Sequence, residues 1–215
     1  MPKFNYQNIP QELRNLKQWG LFELKWVEAR KKNTKIPINP YDGSAGKSND
    51  PNTWSDFDTA MRALNDVERA DGLAFYFANG YVGLDIDHID SNLEDWRAGD
   101  NDPNNLVNKF QDLTDNTSME VSQSGTGIHA IFKGKIPGKR RRKGNYEMYQ
   151  TGRFFALTGN NIIPDPTIKS MSDDEMKTLY EFLFGKDNIV QLHSESDNIT
   201  PVDLSVAEII KRAEN

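Results

Sequence analysis

Apolar and polar positions change period several times along the chain, and each change marks an element. Ile9-Pro10-Gln11-Glu12-Leu13 opens a short helix, with Pro10 where a missing N–H is tolerated. Trp19 to Trp26 (WGLFELKW) alternates and reads as a strand. Residues 28–53 read as loop, because Pro37, Pro40, Gly43, Gly46 and Pro51 break any regular period. Ser55 with Asp58 three residues on has the form of a capping box, and Phe57, Ala60, Met61, Leu64 and Val67 then follow at helical spacing until Gly72. Two apolar runs, Leu73–Ala78 and Tyr81–Asp87, flank Asn79-Gly80, a dipeptide that favours the tight turn of a hairpin.

Further on, Leu106, Phe110 and Leu113 mark one face of a helix. Strand-like stretches follow at Ser118–Ser122, Ile128–Lys133, Tyr146–Gln150 and Arg153–Leu157. Ser172 and Glu175 form a second capping box, with Met171 and Met176 placed as a hydrophobic staple. Met176, Leu179, Tyr180 and Leu183 share a face, and Gly185 is a suitable stop. Residues 186–203 are polar, and Leu204–Ala213 begins an amphipathic helix. The pattern predicts an α+β fold with a mostly antiparallel sheet. It also predicts one domain over residues 1–185, then a polar linker and the start of a helix over 186–215 that either leads to a missing C-terminal region or packs back as a tail helix.

Composition narrows the class. At 215 residues the chain can bury about 70% of its unfolded surface, so no staple is required. With 36% hydrophobic, 27% charged and 10% aromatic residues it is polar, yet too aromatic to be disordered throughout. No apolar run reaches the ~18 residues of a membrane span, and the N-terminus lacks the layout of a secretory signal. The absence of Cys excludes disulfide scaffolds, thiolate nucleophiles and Cys-ligated zinc. A cytoplasmic protein without membrane partners is the expectation. The net charge of −6 conceals two opposed regions. From Asp85 to Glu120 ten acids face only Arg97 and Lys109; from Lys133 to Arg153 eight cations face only Glu147. This polarity suits an anionic partner on the basic side, cation binding on the acidic side, or two solvated faces that compensate one another.

Three stretches carry candidate chemistry. In Gly83-Leu84-Asp85-Ile86-Asp87-His88, strand alternation turns Asp85 and Asp87 to one side, roughly 7 Å apart, while Leu84 and Ile86 face the other. Paired carboxylates repel, and a divalent cation is the usual relief; hard oxygen donors suit Mg²⁺ or Mn²⁺ and phosphoryl chemistry. An exposed edge-strand pair without a role has the same pattern. In Ser122-Gln123-Ser124-Gly125-Thr126-Gly127-Ile128-His129, glycines interleaved with hydroxyls enter a strand. Such a turn either cradles phosphate oxygens on its N–H groups or is an ordinary hairpin. No Lys-[Ser/Thr] follows the glycines, so it is not a Walker P-loop. Glu147 stands alone among cations, placed either as a third metal ligand or as an ion-pair partner. Arg153 opens the next strand with a planar fork suited to phosphate. Between Gly138 and Gly144, Lys139, Arg140, Arg141, Arg142 and Lys143 form a basic loop suited to a nucleic-acid backbone, or a solvated hairpin tip.

Together these motifs resemble the archaeo-eukaryotic primase superfamily, in particular the primase–polymerase domains of phages and mobile elements. Asp85-Ile-Asp87, Ser124-Gly-Thr-Gly-Ile-His129 and Glu147 occur in the order that family uses. Gly152-Arg153-Phe-Phe-Ala-Leu-Thr158-Gly159 resembles the segment after its third acid, and Lys35-Ile-Pro-Ile-Asn-Pro with Asp50-Pro-Asn-Thr-Trp54 resembles its N-terminal part. The similarity spans about residues 10 to 165. One departure is that Ser124 lies five residues before His129, where the family often has a compact Ser-x-His.

The resemblance implies an RRM-like catalytic core and a DNA primase/polymerase that makes and extends primers on single-stranded DNA. It assigns Asp85, Asp87 and Glu147 to Mg²⁺ or Mn²⁺. His129, Arg153, Lys35 and the Ser124-Gly125-Thr126-Gly127 turn fall to the nucleoside triphosphate, and Lys139–Lys143 to the template. A helicase domain, in cis or in trans, is the implied partner. Two rivals use fewer of these features. A rolling-circle initiator endonuclease needs a His-hydrophobe-His pair and a tyrosine nucleophile, but His88, His129 and His193 are far apart. A non-catalytic single-strand-binding module needs only the basic loop and leaves Asp85 and Asp87 unexplained.

Overall fold

Strand pairing divides the chain between two sheets. The computed structural model describes residues 4–186; the predicted linker and the helix from Leu204 lie outside them. The first sheet has the order β2-β1-β3-β9, formed by β1 (Trp19–Val27), β2 (Lys32–Ile38), β3 (Gly72–Tyr76) and β9 (Phe154–Ala156). The second has the order β5-β6-β4-β8-β7, formed by β4 (Tyr81–Ile86), β5 (Met119–Val121), β6 (Ile128–Lys133), β7 (Arg142–Lys143) and β8 (Tyr146–Tyr149). Every ladder between these strands is antiparallel. The α+β expectation holds, with two sheets where the pattern suggested one.

The Asn79-Gly80 turn forms as its chemistry requires. Asn79 and Gly80 take φ of 55° and 83°, and the Tyr81 N–H donates to the Ala78 carbonyl at 3.1 Å. The flanking strands nevertheless do not pair. β3 is flanked by β1 and β9, and β4 by β6 and β8, so both edges of each are taken. The turn therefore passes the chain from one sheet to the other.

Two local expectations are corrected. Lys32–Ile38 is a strand, not loop; Pro37 is accommodated because β2 lies at the sheet edge, where its missing N–H costs no ladder bond. The helix cap after it is Asp56, not Ser55: Asp56 accepts the Thr59 N–H at 2.8 Å and opens α2 (Phe57–Asp66). Ser55 instead bridges to Trp19 through both backbone groups. The capping box of α5 (Asp173–Phe184) is present as read, with Gly185 at its end. The remaining helices are α1 (Gln11–Arg14), α3 (Asp90–Arg97) and α4 (Leu106–Leu113). None of the helices among the described residues is long and apolar enough to cross a membrane.

Alternation along β4 sorts the core. Val82, Leu84 and Ile86 join Ile128, Ala130 and Phe132 of β6 and Met148 of β8 against Val107 and Phe110 of α4 and the apolar face of α5. Residues on the opposite face meet the first sheet: Tyr81 and Ile131 pack with Phe75, Phe77 and Phe155. Gly83 makes this approach achievable, since a Cβ there would collide with the rings of Phe77 and Phe155. The charged end of the same face opens beyond this contact.

Candidate active site

Register places one polar residue from each strand of the second sheet in a single transverse row. Glu120 pairs with His129, His129 with Asp85, Asp85 with Glu147 and Glu147 with Arg142. Directly opposed residues of antiparallel strands share a face, so all five project to the side away from α4 and α5. Residues separated by up to 62 positions in the chain thus form one line of acids and bases, in which the carboxylates of Asp85 and Glu147 are neighbours. Asp87 follows just past the end of β4, where its N–H continues the ladder by donating to the Asn145 carbonyl at 3.0 Å.

Glu120, which the sequence reading counted only as one acid among ten, has a defined job in this row. It is buried and accepts the N–H of Thr158 at 3.0 Å and of Gly159 at 2.8 Å. Its Oε1 lies 3.3 Å from His129 Nδ1. His129 is also buried and stacks on Phe155, with centroids 4.2 Å apart and planes 12° from parallel. With Nδ1 held by Glu120 and the ring clamped by Phe155, Nε2 faces Asp85 Oδ1 at 3.7 Å. No local pattern announces this arrangement, because the partners come from β6 and from the chain after β9.

Asp85 is the stressed member. Its Oδ1 is buried with no hydrogen-bond partner among the described residues. Burial pushes its carboxyl above the ordinary carboxylate range; His129 and Lys35 oppose that shift, while Asp87 and Glu147 reinforce it. Lys35 responds in kind: burial holds its amine below the usual lysine range, against the pull of Asp85, Asp87 and Glu120.

Asp85, Asp87, His129 and Lys35 all line one cavity of about 570 Å³, walled on the other side by Leu24 and residues 32–34 of the β1–β2 hairpin. Ser122, Ser124 and Thr126 also line it. Their hydroxyls form a chain, with Ser122 to Ser124 at 3.0 Å and Ser124 to Thr126 at 2.9 Å. The turn is tight: Gly125 has φ of 80° and donates its N–H to the Ser122 carbonyl. Gly127 presses against the backbone of Ile86 and Asp87, where a Cβ would collide with the Ile86 carbonyl. The glycine-hydroxyl turn and the Asp-x-Asp strand are therefore packed against each other.

The other assigned residues sit at the β7–β8 edge. Glu147 accepts from Arg142 Nε at 3.0 Å and from the Tyr149 hydroxyl. Arg153 does not line the cavity; its guanidinium lies over the Tyr149 ring at 5.1 Å and so reaches Glu147 only through that tyrosine. Burial and the bond to Glu147 raise the Tyr149 hydroxyl above its usual range. In the basic loop, Lys139, Arg140, Arg142 and Lys143 are exposed. The loop backbone is pinned by Tyr180 of α5, whose hydroxyl accepts the Arg140 N–H at 2.8 Å and donates to the Arg140 carbonyl. Arg142 differs from its neighbours in being tied to Glu147.

Among the described residues no three His, Asp or Glu side chains converge closely enough to enclose a metal ion. The donors nonetheless fit a hard divalent cation in kind. Asp85 has an orphaned buried oxygen, Asp87 opens to the same cavity, and Glu147 adjoins Asp85 in the row, with its carboxylate turned to Arg142 and Tyr149.

No protein-family model matches the chain. It is 28% identical over 202 residues to the DNA primase-polymerase of Nitratiruptor phage NrS-1, an alignment covering 87% of this chain and 26% of the relative. The chain thus spans about a quarter of the length of the relative it matches. The likeness to phage primase–polymerases carried by the motifs is accordingly supported by identity over most of the chain.

Proposed function

We propose that this chain is the nucleotidyl-transfer domain of a DNA primase–polymerase, synthesising and extending primers on a single-stranded template. The observation that carries the reading is the in-register row Glu120-His129-Asp85-Glu147 beside a cavity that combines carboxylates, hydroxyls and a lysine. The similarity to the phage DNA primase-polymerase supports it. On this reading the five-stranded sheet, backed by helices on its apolar face, serves as the RRM-like core that the resemblance implies.

In this reaction the 3′-hydroxyl oxygen of the primer forms a bond to the α-phosphorus of the incoming nucleotide, and the α–β bridging bond breaks to release pyrophosphate. Asp85 and Asp87, with Glu147 beside them, hold Mg²⁺ or Mn²⁺, which when bound supplies activation of the hydroxyl and neutralises charge on the leaving group. His129 presents Nε2 to the phosphates because Glu120 and Phe155 fix its ring. Lys35 and the turn Ser124-Gly125-Thr126-Gly127 complete the triphosphate site with a cation, hydroxyls and N–H donors. Arg153 acts at its margin, orienting Tyr149 and through it Glu147. The exposed cations of the Lys139–Lys143 loop follow the template backbone.

The test is extension of a labelled primer on a DNA template with dNTPs and Mn²⁺ or Mg²⁺, comparing wild type with Asp85→Ala/Asp87→Ala. Metal-dependent extension by the wild type alone is expected. Equal inertness of both proteins, with retained single-stranded DNA binding, would instead establish a binding module.

A further inference from the structure

The β1–β2 hairpin extends the wall of the cavity outward, and its far end carries an unusual side chain. Leu24 and Lys35 are cross-strand partners and both line the cavity. The next pair on the same face is Trp26 and Asn33, roughly 7 Å further along the strands. Asn33 also lines the cavity, whereas Trp26 is 55% exposed. The other three tryptophans are not so placed: Trp19 and Trp54 are buried, and Trp96 packs against the core.

An indole left in water at that level costs hydrophobic free energy that the fold does not recover. Its edge is held, since Nε1 donates to Glu28 Oε2 at 2.7 Å, so the ring is oriented. The surrounding charge is cationic. Lys25, Lys31 and Lys32 are exposed and form no ion pair among the described residues, while Glu23 is occupied by Arg69 and Glu28 by the indole. An oriented aromatic face beside unpaired lysines, one step outside a site for nucleoside triphosphate, is the pattern with which proteins hold an unpaired base and its phosphate.

We propose that Trp26 is a stacking platform for an unpaired base of the DNA strand as it passes the mouth of the active site, with Lys31 and Lys32 at the hairpin turn receiving the adjoining phosphates. The inference rests on the polymerase reading and adds a second strand contact to it, on a different element from the Lys139–Lys143 loop. The occupant is the strand and not the incoming nucleotide, because Trp26, unlike its neighbours Leu24 and Asn33, does not line the cavity and stands at its rim.

The test uses the whole chain and a short fluorescently labelled oligothymidylate, read by anisotropy and by tryptophan emission. Trp26→Ala is expected to weaken binding roughly tenfold, the loss of one stacked base. Trp26→Phe is expected to bind within about threefold of wild type while losing the emission change. Because Trp26 is exposed, circular dichroism of both variants should match the wild type. Unchanged oligonucleotide affinity in Trp26→Ala overturns the proposal, and does so alone if the wild type still extends primers. Quenching of Trp26 emission by dTTP alone, equal to that by the oligonucleotide, also overturns it by assigning the ring to the incoming nucleotide. A wild type that neither binds the oligonucleotide nor extends primers removes both readings.

Discussion

The two sheets bury part of a shared face against each other, yet they spend that face differently. The four-stranded sheet turns Leu21, Leu73, Phe75 and Phe155 into the shared core. On the five-stranded sheet the same face begins with Tyr81 and Ile131 and then gives way to His129, Asp85, Glu147 and Glu120. The carboxylates and the histidine thus sit on one sheet, while the other supplies a dry wall and, from its edge strand β2, the cation Lys35. The burial that displaces Asp85 from its ordinary acidity is a property of the pair.

If that division holds, removing the carboxylates should separate activity from stability. Asp85→Ala/Asp87→Ala is expected to reduce primer extension on the order of a thousandfold or more, with an unchanged or higher unfolding midpoint by calorimetry. A double variant that loses activity only because it unfolds would collapse the contrast. Glu120→Ala sharpens it from the other direction, because Glu120 serves both sides. The N–H groups of Thr158 and Gly159 and the His129 ring would lose their acceptor inside the protein. We expect a loss of roughly 3 kcal/mol in urea unfolding, together with a raised KM for dNTP. Gly83→Val attacks the contact between the sheets and should cost roughly 2 kcal/mol by overpacking against Phe77 and Phe155.

A subtler effect concerns pH. Asp85 has its folded-state affinity for a proton raised, mainly by burial, so its contribution favours folding at low pH and is lost as pH rises through the raised value. Asp85→Asn resembles the protonated form. It should melt above the wild type at neutral pH, and the gap should close as pH falls through the raised value toward the ordinary carboxylate range. The smallest change is expected far from the shared face. Replacing Lys139, Arg140 and Lys143 by Ala should leave folding intact and lower the salt dependence of single-stranded DNA binding by about 0.7 per phosphate contact removed.

How much of this was legible in the sequence depended on the range of the interaction. Asp85 and Asp87 could be read because alternation within one strand puts them on one side, and both do line the cavity. The Ser172 capping box and the limits of β6 were equally local. The hairpin around Asn79-Gly80 was half legible: the turn is encoded by its two residues, but whether its strands pair depends on neighbours from residues 19–27, 128–133 and 146–156. Strand β2 was hidden by Pro37, whose tolerance at an edge is a tertiary fact. Glu120 and Phe155 gave no signal, since their roles depend on register across β5, β6 and β9. The same applies to Arg153, read as a phosphate ligand but seated over Tyr149.

The clasp on Glu120 has a temporal consequence. Its backbone donors are Thr158 and Gly159, and the Thr158 carbonyl in turn accepts the N–H of Asn5, near the start of the chain. On a ribosome, residues 5 and 120 emerge long before 158 and 159 do. Strands β4, β5 and β6 can pair earlier, but the Glu120 clasp on His129 is not complete until Thr158 and Gly159 have been made. A nascent chain would therefore carry its acidic strand without a finished site, and nucleotide binding would appear as a late, all-or-none event of synthesis. Stalled chains ending before and after residue 159 offer a direct view of that step.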